Sequence, residues 1–274
     1  MPRKENNKIA AIGVDRGGTW TRVAAFDRRC RPLKTARLRT SPLRTLPGKL
    51  IPLLTRWPGG AEAPLVIATR GAFSRGWKKP FLVKALAGKI NLADVISDAE
   101  AAHRAAFGGK PGLLLIAGTG AVVFGGRPGA FVKTGGNNPV SGDPGSGRWL
   151  GRQYLKMLGR LGEAGAMGHG RSAAYAAKLL DKARRGDKAC SLIAAAAMHE
   201  LAALLKTAAG GGKGRVRVAL AGGLLLGNAF FYEGFKKAAR RALPGRRLGF
   251  TAPKISAEAA AARLALKAAA GNKL

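Results

Sequence analysis

Acidic residues are scarce in this sequence for its size. Only 14 Asp and Glu stand against 48 Lys and Arg in 274 residues, a formal net charge of +34 at pH 7. Such an imbalance attracts polyanions and leaves few carboxylates for acid–base chemistry or metal binding, so each acidic residue inside a motif carries weight. Cysteine is nearly absent. Cys30 and Cys190 lie far apart with no C-x-x-C partner, which excludes a disulfide framework and a cysteine zinc site. His103, His169 and His199 have no metal-ligand spacing. With three Tyr and basic residues scattered along the chain, there is no stacking platform for bases, and nucleic acid is expected to bind only non-specifically, through charge. No apolar run approaches the roughly 20 residues that span a bilayer, so no membrane partner is expected. The apolar stretch Ile9 to Val14 stops at Asp15, too short for a signal-peptide core, and the expected location is cytoplasmic.

What is abundant is glycine, 40 residues, concentrated where apolar runs end. The length suits two domains. Ile9–Val14, Arg22–Phe26 and Leu33–Thr40 read as three antiparallel strands. A helix follows near Leu43–Arg56, then strand Leu65–Ala68, helix Phe81–Ala87, strand Asp94–Ser97 and helix Ala99–Phe107. The order then begins again with strands at Leu113–Ala117, Ala121–Phe124 and Phe131–Thr134. Alanine-rich helical patterns cover Gly147–Leu161, Ser172–Arg185 and Cys190–Ala209. Strand Val216–Ala221, helix Asn228–Ala242, strand Arg247–Thr251 and helix Ser256–Ala270 complete the pattern. This is an α/β chain with two related sheets, each of mixed strands and flanking helices. The expected lobes are residues 1–110 and 111–274, with the last helix, about 256–270, free to pack back on the first lobe.

Three glycine turns end apolar strands. In Asp15-Arg16-Gly17-Gly18-Thr19, Gly17 and Gly18 let backbone N–H groups approach phosphate oxygens, the Thr19 hydroxyl adds a donor, and Asp15 could hold Mg²⁺. An ordinary glycine β-turn explains the same residues. Gly118-Thr119-Gly120 repeats the arrangement, and two cradles imply one polyphosphate. Gly222-Gly223 could present bare backbone to a flat base. Arg16 is open to two readings, phosphate contact or solvent. Trp20 and Trp149, beside motifs, could line a cleft or anchor their loops.

In this order and spacing the turns resemble the actin-like ATPase and sugar-kinase superfamily, over nearly the whole chain. Ile96-Ser97-Asp98-Ala99-Glu100 and Ser141-Gly142-Asp143-Pro144-Gly145-Ser146-Gly147-Arg148-Trp149 are similar to signatures of its N-acetylglucosamine kinase and BadF/BadG-type ATPase family. The resemblance implies a duplicated ribonuclease-H-like fold, with ATP and Mg²⁺ in a cleft between the lobes and a sugar acceptor beside them, in a homodimer. It implies that Asp98 is the base taking the proton of the attacking hydroxyl. It further implies phosphate contacts from Gly17, Gly18, Thr19, Gly118, Thr119 and Gly120, and adenosine contacts from Gly222 and Gly223. Asp143, Asn137, Asn138 and Gly145 would contact the sugar, an amino sugar such as N-acetylglucosamine or glucosamine. Asp98 could equally cap the helix that follows it, and Glu100 reads as first-turn charge complementing the helix dipole. The sequence departs from the family pattern at Ala121, where serine is usual, at Pro144, where an acidic residue is usual, and at Asn137-Asn138. Two other readings follow from the same fold. An ATP-hydrolysing activator would need cysteines for an iron–sulfur cluster, for which neither Cys30 nor Cys190 lies in a matching motif. A non-catalytic binder of nucleotide or nucleic acid would keep the turns and lose turnover.

Overall fold

The computed structural model describes residues 8–72, 74–127, 130–138 and 140–271. In chain order its elements begin with β1 (Ala11–Arg16), β2 (Trp20–Phe26), β3 (Pro32–Arg39), a 3₁₀ turn at Leu43–Thr45, α1 (Leu46–Thr55), β4 (Leu65–Thr69), α2 (Lys78–Leu86), β5 (Leu92–Ser97) and α3 (Asp98–Phe107). There follow β6 (Gly112–Ala117), β7 (Ala121–Arg127), β8 (Ala130–Gly135), α4 (Gly147–Met157), α5 (Leu161–Ala166), α6 (His169–Arg184) and α7 (Lys188–Ala209). The last are β9 (Gly214–Ala221), α8 (Gly223–Leu226), α9 (Ala229–Ala242), β10 (Arg246–Thr251) and α10 (Ala257–Ala269).

These elements form two units, one running to Gly109 and resuming at Lys254, the other from Lys110 to Pro253. In the first unit the strand order is β3-β2-β1-β4-β5, and in the second β10-β9-β6-β7-β8, which is the same order read from the other edge. Both sheets are mixed: β1 pairs antiparallel with β2 and parallel with β4, as β6 does with β7 and β9. The duplication legible in the sequence is therefore a duplication of topology.

The sheet of the first unit has two covered faces. On one, Ile12, Val14, Leu65 and Ile67 meet Leu50 and Leu54 of α1 and Leu82 and Leu86 of α2, all fully buried. On the other, Ala11, Val66 and Ala68 meet Ala261, Ala262, Leu264 and Ala265 of α10. Small residues on both sides let α10 come close. At Gly13 the approach is closest, since a Cβ there would stand 1.8 Å from the Glu258 carbonyl oxygen. The C-terminal helix thus belongs to the first unit, where Ser256 caps it by accepting from the Ala259 amide at 3.3 Å.

The second unit buries Leu115, Val123, Leu220, Phe231 and Phe235 together with Ala194, Ala197, Leu201 and Leu205 of α7. Among the described residues α7 is the helix long and apolar enough to cross a membrane by length and composition, although Lys188, Glu200 and Lys206 interrupt its sequence. Its buried stripe is part of this core. The helix expected over Gly147–Leu161 stops at Met157, because Gly159 takes a left-handed φ of +70° that ends α4, and a separate short α5 begins at Leu161. The short α8 escaped the periodicity argument because four residues make only one turn.

Candidate active site

Register builds the first unit's site. Pairing sets Asp15 beside Ala68, Arg16 beside Thr69, and Thr69 beside Ser97, so the carboxyl ends of β1, β4 and β5 are level. Ligands of open α/β sheets gather at such ends. Arg16 is the last residue of β1, paired with Thr21 of β2, and so lies in the sheet, not in the turn. The turn itself is pinned by Gly17 N–H donating to the Trp20 carbonyl at 3.0 Å and by Thr40, which donates its amide to the Thr19 carbonyl and its hydroxyl to the Gly17 carbonyl, both at 3.0 Å. Gly18 and Thr19 are left exposed at the tip. Trp20 anchors the hairpin, with the Arg37 and Arg39 guanidinium carbons 3.8 and 4.2 Å from its ring centre.

Asp15 is half-buried and ion-paired with Arg22 at 3.2 Å. Burial pushes its carboxyl up to about 6, with the nearby Glu258 and Asp98 adding to the rise and Arg22 opposing it. Sequence reasoning missed Glu258. Nothing local marks it, because it reaches Asp15 only through the return of α10. The raised value makes ionised Asp15 a cost to folding, absent below the unfolded value of 3.8, developing between there and about 6, and complete above it. Asp15→Asn is therefore expected to stabilise the chain by about 3 kcal/mol at pH 7.5 and by close to nothing at pH 3.5, at 1.36 kcal/mol per pK unit. Urea unfolding at the two pH values checks this; an equal effect at both would mean that burial of the charge is not the cause.

Asp98 is the first residue of α3, and Ser97, not Asp98, is the cap. The Ser97 hydroxyl accepts from the Glu100 amide at 3.0 Å, the bond a helix cap makes. The capping role the sequence allowed for Asp98 is thereby filled by its neighbour. Its Oδ1 accepts from the Ala99 amide at 3.0 Å, and burial raises its pKa against the pull of that bond and of Arg70 and Lys78. Glu100 pairs with Arg104 at 2.9 Å in the first turn of α3, a helix-surface ion pair. His103 is buried with its ring 4.7 Å from that of Phe107, a packing position.

In the second unit three glycine segments converge. Gly118 N–H donates to the Gly120 carbonyl at 2.9 Å, closing the turn, and the first amides of α4 hold it from behind: Gly147 N–H to the Gly118 carbonyl at 2.7 Å and Arg148 N–H to the Thr119 carbonyl at 3.2 Å. A Cβ on Gly147 would stand 2.8 Å from the Gly118 oxygen, and one on Gly118 would be 3.9 Å from Gly223 N. Gly222, at φ +94°, lies where a Cβ would meet the Ala117 oxygen at 2.2 Å, so the end of β9 presses on the end of β6. Thr119, Gly120 and Gly223 remain exposed there.

Asp143 has work the sequence did not disclose. It is 9% exposed, and its two oxygens accept from backbone amides, Oδ2 from Ala121 at 2.9 Å and Oδ1 from Asn138 at 3.0 Å. It staples the Asn137-Asn138 loop, which is exposed, to the start of β7. Gly145 is buried, at φ +77°, with its Cβ position 2.6 Å from the Ala197 carbonyl of α7. Its hydrogen is a packing requirement, and no sugar contact is needed to explain it. Asp143→Ala is expected to cost about 1–3 kcal/mol for the buried Ala121 amide alone, which chemical unfolding of the variant reads.

Among the described residues no three His, Cys, Asp or Glu side chains cluster as a metal cage. Magnesium asks less, one or two carboxylates with phosphate oxygens and water supplying the rest, and Asp15, oriented by Arg22, fits that reduced role.

The chain carries the duplicated actin-like ATPase fold found in sugar kinases. It is similar to a candidate N-acetylglucosamine kinase from Chromobacterium violaceum, with TM-score 0.66 and 23% identity over 93% of this chain and 98% of that one. A ROK hexokinase from Thermus thermophilus matches with TM-score 0.64 and 21% identity over 95% and 98% of the two chains. A ROK family glucokinase from Streptomyces griseus, solved with glucose and AMPPNP, matches with TM-score 0.58 and 20% identity over 93% and 98%. At such identities the likeness establishes the fold alone. No protein-family model matches the sequence, and no curated protein is significantly similar to it.

Proposed function

We propose that this chain is an ATP-dependent sugar kinase. The observation that carries the proposal is Asp98: a half-buried carboxylate, level with the carboxyl end of the sheet, relieved of capping by Ser97, on a fold shared with a hexokinase and a glucokinase. In this reading Gly17, Gly18, Thr19, Gly118, Thr119 and Gly120 are the residues that take phosphates of ATP, and Gly222-Gly223 receives the adenosine. Asp15 would be the residue that holds Mg²⁺ brought by the nucleotide, and the ion would supply charge neutralisation at the phosphates.

The acceptor hydroxyl gives its proton to Asp98 as its oxygen bonds the γ-phosphorus, the bond from that phosphorus to the bridging oxygen breaks, and ADP leaves. Asp98 must be ionised to do this, and Arg70 and Lys78 favour that form against burial. The acceptor we favour is an amino sugar such as N-acetylglucosamine or glucosamine, supported by the likeness to the Chromobacterium violaceum protein. The exposed Asn137 and Asn138 offer amide groups to its hydroxyls, while Asp143 contributes by holding their loop. ADP release with ATP, Mg²⁺ and a panel of hexoses and amino sugars tests the proposal. Release that rises with one sugar and saturates supports it, and no sugar-dependent release from folded protein rejects it.

A further inference from the structure

Keeping one carboxylate ionised does not by itself account for the three cations that act on or are acted on by Asp98, namely Arg16, Arg70 and Lys78. Arg16 is turned along the sheet, away from the tip of its hairpin. It donates one guanidinium N–H to the Ser41 carbonyl at 2.6 Å and another to Thr69 Oγ1 at 3.3 Å. Its Nε is buried and finds no partner among the described residues. Lys78, at the first position of α2, is 8% exposed, and its ammonium donates to the Arg70 carbonyl. That ammonium lies 3.1 Å from the place a Cβ on Gly71 would occupy, so the loop after β4 is wrapped closely around it.

The arrangement is unfavourable by itself. A helix N-terminus repels a cation, and the first turn of α2 holds no acidic residue to compensate. Arg16, Arg70 and Arg75 all act on Lys78 as like charges, and among the charges acting most strongly on it Asp98 is the single carboxylate. Buried charges are tolerated where opposite charge meets them, and here cations outnumber the carboxylate. Guanidinium and ammonium groups together are the usual receptor of an oxyanion.

We infer that Arg16, Lys78 and Arg70 receive an anionic group of the acceptor, so that the sugar phosphorylated beside Asp98 already carries a carboxylate or a phosphate. This rests on the kinase reading for its position and narrows the substrate class within it.

The test uses the full chain with Mg²⁺ and saturating AMPPNP, which fills the nucleotide site, and calorimetric binding of N-acetylglucosamine, its 1-phosphate, its 6-phosphate and glucuronate. One anionic probe is expected to bind at least about ten-fold more tightly than the neutral sugar, the probe that does so deciding between phosphate and carboxylate. Arg16→Gln is expected to remove most of that advantage, and Lys78→Met to do the same should Arg16→Gln fail to fold. Equal or tighter binding of the neutral sugar overturns the inference. So does a loss of AMPPNP affinity in Arg16→Gln with acceptor preference unchanged, which would assign the cations to the nucleotide. Anion preference without ADP release from any acceptor leaves the receptor standing and sinks the kinase, whereas ADP release with neutral sugars and no anion preference does the reverse.

Discussion

Asp98→Asn is expected to lower sugar-dependent ADP release by about 10²–10⁴-fold, the usual contribution of a positioned general base. Nucleotide binding should be retained, because the phosphate turns are built from backbone that Asp98 does not support. Folding should not suffer either. An asparagine Oδ1 can still accept from the Ala99 amide, Ser97 still caps α3, and a raised carboxyl pKa means that burying the charge costs stability above it. The variant should therefore be at least as stable as the parent at pH 8, an advantage lost as the pH falls below the unfolded carboxylate range. Steady-state kinetics with a nucleotide titration and a thermal melt separate these outcomes. An inactive variant that also fails to bind nucleotide would point to a structural role, and an unchanged rate would remove Asp98 as the base.

Gly13→Ala should give the largest loss of stability of any single methyl added to the first unit's sheet. The new Cβ would stand 1.8 Å from the Glu258 carbonyl oxygen and 2.8 Å from Ala262 N, both backbone atoms of α10 that cannot rotate away. The helix must lift from β1, loosening its contacts with Ala11, Ala24 and Val66. Overpacking of this kind costs about 3 kcal/mol or more, or roughly 6–12 °C in melting temperature for a chain of this size. Gly48→Ala is the control. It adds the same methyl in α1, where nothing lies within 4 Å, and should be neutral or slightly stabilising. Comparable losses in both would show that α10 does not lie on β1 as described.

The α10–β1 contact also marks where reading the sequence stops. Apolar and alternating runs identified all ten strands of the described residues by local pattern alone, and three of those runs ended in the glycine turns. The turn residues Gly17-Gly18-Thr19 and Gly118-Thr119-Gly120 were legible for that reason, as was Asp98 at the end of its strand. Glu258 was not. Its effect on Asp15 arises across a separation that no local period encodes. Asp143 was legible only in part: a carboxylate before a glycine loop can face a ligand or its own backbone, and the bonds it accepts from the Ala121 and Asn138 amides show the backbone role that no local pattern encodes. Arg16 was placed in the turn because glycine follows it, yet strand pairing with Thr21 and Thr69 carries β1 through it and aims the guanidinium at Ser41 instead of the hairpin tip.

In the proposed reaction phosphate leaves ATP for a sugar under the control of Asp98. Incubating the chain with γ-³²P-labelled ATP, Mg²⁺ and the sugar that best stimulates ADP release follows that transfer itself. Label is expected on the sugar with the parent chain and almost none with Asp98→Asn. Label appearing as inorganic phosphate at the same rate with or without sugar would rule the transfer out.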